Sequence, residues 1–435
     1  MIGGVKSELS LFDPQVFQTT MERASWVDYH PASSVKGSTG PIEFNIKGSA
    51  EEYIDVNDTM LYIKAKITSE DGSNLAANAD VAFTNMPLSS LFADVQLSLG
   101  TSQIEGGNQM YPYRAMIAAL IQNGEACKKN QLIASGFVKD EARKFNAREN
   151  TAYAVRKAWT SESASREFCG PLHLDFFQQN RYLLSQVDVS IKLVRSKDEF
   201  ALQKIPEVIS NARAALVGAK ISIEEAILYV RKVHVSPSVI NGHEAGLTKQ
   251  NVVYPIQRCE VISYTIPRGS LKYNQDSLFT GHMPKLLVFG LVTNTAFSGS
   301  YTESPFNFKH ANLNEVGLFR EGNAIPFKPL KPDFANNNYM REFMTLIQSM
   351  EYYNRDDECG ISPADFAGGN ALFAFNLTAD LSLNGHAQPM RQGNLRLELN
   401  FATATTELLN IVIWAVFDSK LEITRLRKVL ADYKS

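Results

Sequence analysis

Cysteine is scarce in this chain: four residues in 435, at positions 127, 169, 259 and 359, with no CxxC and no histidine spacing that suits zinc. They read as free thiols of a reducing compartment, since an oxidised secreted scaffold would usually carry more. No run of about 18 apolar residues occurs, so nothing predicts a spanning helix. The opening MIGGVKSELSLFDPQ has no apolar stretch of the kind a signal peptide needs. The expectation is a chain made and folded inside a cell. Charge of one sign is also missing: 43 basic and 46 acidic residues leave a formal charge of -3. No basic run is long enough to coat a nucleic acid, so no specific nucleic-acid partner is expected.

Catalytic signatures are missing as well. GxSxG, HExxH, GxGxxG and GxxxxGK[ST] do not occur. The nearest phosphate-loop lookalike, GHEAGLTK (242–249), spaces its glycines four apart and separates Gly from Lys, so its amides would not wrap a phosphate. His243-Glu244 has no second histidine one helical turn later. NRDDECGISPAD (354–365) places Asn354, Asp356, Glu358 and Asp365 near alternate positions, as calcium ligands are placed. Its glycine is displaced by one residue, and a solvated acidic loop is the better reading. The seven histidines (30, 173, 234, 243, 282, 310, 386) are dispersed, without the His–carboxylate cluster a cupin-like enzyme requires. The chain reads as no enzyme, with no catalytic residue, metal or cofactor.

What is present is one pattern written twice. LSSLFADVQLSLGTSQIEGGNQMYPYRAMIAALIQNG, around residue 90, runs strand, turn, strand, helix; HANLNEVGLFREGNAIPFKPLKPDFANNNYMREFMTLIQSM, around residue 310, repeats the order. Tyr111 and Tyr339 stand near the starts of the two helices. Each half then closes on what reads as a strand hairpin, LHLDFFQQNRYLLSQVDVSIKLV and ALFAFNLTADLSLNGHAQPMRQGNLRLELNFA. Identity between the halves is negligible, so the repeat is of pattern.

Residues 1–40 read as an N-terminal arm, because isolated large apolar side chains among prolines and serines build no core of their own. Its aromatics, Phe12, Phe17, Trp26 and Tyr29, are the candidate interface residues, since exposed aromatics on an arm predict a docking partner. PIEFNIKG (41–48) is an edge-like strand. Leu61, Ile63, Ala65 and Ile67 alternate with Tyr62, Lys64 and Lys66 up to a turn at Asp71-Gly72. Residues 124–167 read as a long loop insertion. Val187, Val189, Ile191 and Leu193 alternate strictly after a polar turn at Gln178-Gln179-Asn180, and 219–237 closes the first half. PKLLVFGLVTN (284–294) is apolar throughout, as a central strand covered on both faces would be; Leu395, Leu397, Leu399 and Phe401 alternate again, and LLNIVIWAVFDSKLEI is the final strand. TRLRKVLADYKS reads as a short basic amphipathic helix or an extended end. About eight strand-like runs per half, with no helix after each strand, predict an all-β chain of two tandem eight-stranded jelly-roll β-sandwiches with short helices in the inter-strand loops. The expected division is an arm at 1–40, a first jelly roll at 41–236, a second at 237–424 and a tail at 425–435.

The strings WVDYHPASSVKGSTGPIEFNIKGSAEEYIDVNDTMLYIKAKITSEDG, SLFADVQLSLG, NQMYPYRAMIAALI and FFQQNRYLLSQVDVSIKLVRSKDEFAL together resemble the major capsid proteins of Maverick/Polinton-type elements and adintoviruses. They cover most of residues 20–200; the second half resembles the family in layout and in its LREL-type closing strand. The resemblance implies a double jelly-roll capsid protein of the virion. Its partners would be two further copies in a homotrimeric, pseudo-hexagonal capsomer, neighbouring capsomers, penton and minor capsid proteins, and an internal membrane where one is present. It implies no enzymatic activity and maps no individual binding residue. The rival reading is a carbohydrate- or receptor-binding tandem β-sandwich, which would never tile into a shell.

Overall fold

A computed structural model describes residues 18–77, 79–205, 208–209, 212–213, 218–279, 281–383 and 387–433. In the first half the strands of the two main sheets are β1 (Met21–Tyr29), β2 (Ile42–Ile46), β3 (Glu52–Ser69), β4 (Phe92–Leu99), β5 (Ser102–Glu105), β6 (Arg166–Pro171), β7 (Val189–Arg195) and β8 (Ala219–Val235). In the second they are β9 (Val252–Ile266), β10 (Lys272–Gln275), β11 (Leu286–Thr293), β12 (Leu313–Arg320), β13 (Asn323–Leu330), β14 (Phe373–Asn376), β15 (Leu395–Phe401) and β16 (Leu409–Ile423), followed by β17 (Val429–Ala431).

The first half forms two four-stranded antiparallel sheets, ordered β1-β8-β3-β6 and β2-β7-β4-β5. The second forms β9-β16-β11-β14, with β17 added to β16, and β10-β15-β12-β13. Adding eight to every label of the first half reproduces the order of the second. The chain is two tandem jelly rolls, and the repeat legible as pattern is a repeat of topology.

Alternation puts the cores inside the sandwiches. Leu61, Ile63, Ala65 and Ile67 of β3 are fully buried while Tyr62, Lys64 and Lys66 are half-buried on the other face. β7 and β15 alternate in the same way. Every residue of β11 is buried; it runs between β16 and β14, with Phe289 stacked on Phe373 at 5.2 Å. The turn after β3 carries Gly72 at φ 86°, the left-handed region where glycine costs least.

Three expectations change. Met21–Tyr29, read as part of an arm, is the edge strand β1, paired along β8 from Met21↔Val235 to Tyr29↔Leu228. Neither half closes on a hairpin. In the first, β6 ends at Pro171 and the chain enters a short 3-10 turn at Asp175–Gln178, where Asp175, Phe176 and Phe177 are buried. In the second, β14 and β15 belong to different sheets. Of the two forms expected for the C-terminal segment the extended one is present, its β17 pairing Val429–Ala431 with Ile423–Leu421.

Helices sit in the connections: α1 (Tyr111–Gln122), α2 (Glu125–Lys129), α3 (Thr151–Trp159), α4 (Pro237–Leu247), α5 (Met340–Ser349) and α6 (Pro363–Ala367). α1 and α5 occupy the same topological place, between the fifth and sixth strands of each jelly roll. Tyr111 and Tyr339, at their starts, are each buried in the core of their own half.

Candidate assembly surfaces

The joint between the jelly rolls is built from α1 and the turn after β6. α1 is apolar almost all round, and only Arg114 breaks the run YPYRAMIAALI. Tyr111 enters the first core, whereas Tyr113, Met116, Ile117 and Leu120 join the second. Tyr113 lies among Phe297, Phe306 and Phe308 at 5.5–6.5 Å between ring centres. In return, Tyr254 and Ile256 of β9 and Leu421 and Ile423 of β16 pack into the first core, with Phe176 edge-on to Tyr254 at 5.3 Å.

β9 is an edge strand, so one row of its backbone groups has no strand partner. The first half covers that row with side chains. Asp175 Oδ1 accepts from the Cys259 N–H at 2.9 Å, Asn108 Nδ2 donates to the Val261 carbonyl at 3.2 Å, and the Arg181 guanidinium donates to the Val253 carbonyl. These groups have odd numbers, as one edge of a strand with a two-residue period requires.

Arg114 ties the joint electrostatically. Its guanidinium donates to Asp175 Oδ1 at 2.6 Å and to Glu105 Oε2 at 3.1 Å. Glu105 also accepts from the backbone N–H groups of Asp175 and Phe176, both at 2.9 Å. Burial opposes the charge on Arg114, but the two carboxylates outweigh it and hold its pKa above the ordinary value. Burial pushes the Asp175 carboxyl up to about 8, with Glu105 alongside adding to the rise and Arg114 opposing it. No motif marks these residues; the only local signal is a lone arginine in an apolar helix.

The 124–167 insertion is ordered by a buried polar network. Arg156 donates to Asp140 Oδ1 at 3.1 Å and to the Phe83 carbonyl at 3.1 Å, while Asn85 and Asn150 also donate to Asp140. Loops of the two halves meet at this end: the Ser304 N–H donates to Asn146 Oδ1 at 2.7 Å, and Lys204 Nζ lies 3.7 Å over the Tyr301 ring.

Of the four candidate interface residues, Phe12 and Phe17 lie outside the described residues. Trp26 is on β1, 49% exposed. Tyr29, three residues on and therefore on the other face of the strand, is half-buried against the first core. The two therefore do not form one patch. Other large apolar side chains stand in the open without any sequence signal: Leu426 at 90%, Phe327 at 82%, Leu381 at 68% and Met340 at 51% exposure. Phe327 is on the edge strand β13, beside Pro326, Lys328 and Pro329, residues that discourage edge-to-edge pairing.

The lookalike motifs are absorbed into the structure. His243 and Glu244 lie on α4, where His243 Nδ1 is 2.7 Å from Tyr53 Oη and Glu244 pairs with Arg427. Asp365 of the acidic loop forms a capping box with Ser362 at the start of α6 and an ion pair with Lys139 at 2.8 Å. Among the described residues, no group of three or more His, Cys, Asp or Glu is placed to hold a metal ion, and no helix is long and apolar enough to cross a membrane.

No family model matches the chain. It is 22% identical over 426 residues to an uncharacterized protein of Caenorhabditis elegans, covering 95% of this chain and 98% of that one. Among solved structures it is similar to the Sputnik virophage structure, with a TM-score of 0.66 and 12% identity over 99% of this chain and 93% of the other. The PBCV-1 virus capsid follows at a TM-score of 0.60, 14% identity, and 98% and 100% coverage. The mavirus major capsid protein gives 0.55, 11%, and 99% and 94%. At these identities the likeness is one of fold, and it spans both jelly rolls.

Proposed function

We propose that the chain is a major capsid protein, of the kind carried by Maverick/Polinton-type elements and adintoviruses, that trimerises into pseudo-hexagonal capsomers and tiles an icosahedral shell. The observation that carries this reading is the exact topological repeat. Two jelly rolls of one strand order, standing side by side in one chain, let three copies approximate six-fold packing from a three-fold object. The full-length likeness in fold to virophage and PBCV-1 capsid structures supports it, as do the sequence strings quoted for residues 20–200.

The role is mechanical. The chain divides near residues 236 and 237 into two rigid sandwiches joined by a buried, charge-tied interface. Its work is done by surfaces that meet neighbouring capsomers, penton and minor capsid proteins, and a membrane where the shell encloses one. Residues 1–17, with Phe12 and Phe17, act as a docking arm, and the finished protein resides in the virion without catalysing a reaction.

Light-scattering mass followed by electron microscopy of the same fraction tests the proposal. A capsid protein gives a species of about 145 kDa, three times the chain mass of 48.4 kDa, with pseudo-hexagonal outlines or shells tiled by them. A stable monomer or dimer that never tiles would overturn the reading in favour of a binding protein built on the same fold.

A further inference from the structure

The intrachain joint has two sides, and each side has a counterpart in the other half of the molecule whose large apolar side chains stand exposed among the described residues. The donor side consists of α1 and the turn after β6. Aligned on Tyr111 and Tyr339, the α1 face that carries Tyr113, Met116 and Leu120 into the second jelly roll corresponds on α5 to Arg341, Met344 and Gln348. Tyr113, Met116 and Leu120 are all buried; Arg341 and Gln348 are exposed, Met344 is half-buried, and neighbouring Met340 is 51% exposed. In the turns, Asp175 and Phe176 follow the end of β6 by four and five residues, and Asp380 and Leu381 follow the end of β14 by the same intervals. Phe176 is fully buried on Tyr254, whereas Leu381 is 68% exposed.

The acceptor side is the free edge of β9, whose counterpart is β1. Among the described residues no hydrogen bond reaches the free backbone edge of β1 between Arg23 and Tyr29, while that of β9 is covered at Val253, Cys259 and Val261. Trp26, midway along β1, is its largest exposed side chain.

We infer that the α5–Leu381 surface of one copy docks on the β1 edge and Trp26 of a second copy of this chain, repeating between chains the joint that α1 and the Asp175 turn make with β9 within one. The inference rests on the trimer reading and specifies its contact. Such a contact is heterologous: each copy offers one donor surface and one acceptor surface, so copies add head to tail and must close into a ring to leave none bare. Side chains that cap a bare strand edge around a central aromatic anchor are also what a specific interface needs.

The test uses the full chain with two single substitutions at exposed sites, Trp26→Glu and Leu381→Glu. Each variant should keep the wild-type far-UV spectrum while its trimer dissociates on dilution at a concentration at least about 30-fold higher, the loss of a hot-spot contact. At a concentration where both variants are monomeric, an equimolar mixture should give a dimer. There the Trp26→Glu copy still offers its donor surface and the Leu381→Glu copy its acceptor edge. Wild-type trimers with either folded variant equally trimeric, or monomeric variants that fail to pair when mixed, would overturn the docking and leave the trimer reading standing. A wild-type chain that stays monomeric would overturn both.

Discussion

Replacing Arg114 by methionine keeps most of the side-chain volume and the helix propensity of α1 while deleting the cation that holds the two jelly rolls together. Methionine leaves Glu105 and Asp175, both almost fully buried, facing each other without the guanidinium that now sits 3.1 Å and 2.6 Å from their oxygens. Breaking a buried ion pair from one side costs about 3–5 kcal/mol, because an uncompensated charge stays in the interior. The loss depends on pH, and its sign follows from the carboxyls. Burial already raises the Asp175 pKa to about 8 with Arg114 opposing the rise, and without Arg114 it rises further. A raised carboxyl pKa means the folded variant holds a proton that the unfolded chain releases, so stability is kept at low pH and lost as pH rises. Wild type and variant both hold that proton below about pH 8, so the deficit widens only above it: urea unfolding at about pH 7 and about pH 9.5 should give a deficit of about 3–5 kcal/mol at the higher pH and a smaller one at the lower. Lys47→Met is the control. It breaks the exposed 2.8 Å pair with Asp188 and should cost less than about 1 kcal/mol at either pH. An Arg114→Met deficit no larger than the control, or one that grows as pH falls, would refute the reasoning.

In wild type the same carboxyl contributes stability that is complete below its unfolded value of 3.8 and lost as pH rises through about 8. Asp175→Asn, which imitates the protonated form, should therefore gain on wild type steadily between those limits in pH-dependent urea unfolding. Two glycine substitutions should move the melting temperature in opposite directions. A Cβ at Gly290 would meet Phe308 Cδ1 at 2.6 Å and Leu372 Cδ2 at 3.0 Å, so Gly290→Ala costs about 1–3 kcal/mol through overpacking. A Cβ at Gly242, on α4, would meet nothing within 4 Å, so Gly242→Ala gains about 0.5–1 kcal/mol. Deleting residues 1–17 should preserve the mass and spectrum of the trimer while reducing shell yield in electron microscopy. Deleting 1–40 should also melt the first jelly roll, since it removes β1 from β8; equal melting of the two truncations would contradict this.

The strands that face solvent on one side were legible in the sequence, because a half-buried strand must alternate. Leu61 to Ile67, Val189 to Leu193 and Leu395 to Phe401 could be assigned face by face. The wholly apolar β11 was equally plain, and the spacing of strand runs carried the two-sandwich architecture. Pairing was less legible. The closing segments of both halves looked like hairpins because two strand-like stretches flank a polar turn, yet β14 and β15 join different sheets. Local pattern specifies that a strand has an apolar face but not which strand lies beside it. β1 was read as arm for a related reason: at an edge its burial is too slight to impose alternation.

The sequence by itself determined the class of the chain, two repeated all-β units without catalytic motif, from periodicity and composition that act through neighbours a few residues apart. Only the tertiary structure decided how the units are joined. Glu105, Arg114, Asp175 and Cys259 are spread over more than 150 positions, and their charge pairing exists only because α1 lies across the free edge of β9. The same holds for the uncovered surfaces. Leu381 is an ordinary residue in one dimension and stands out only once its counterpart Phe176 is seen buried, as Trp26 does only once β1 is seen at the edge of its sheet. Whether a side chain is covered depends on the packing of segments remote in sequence, and no local pattern encodes that.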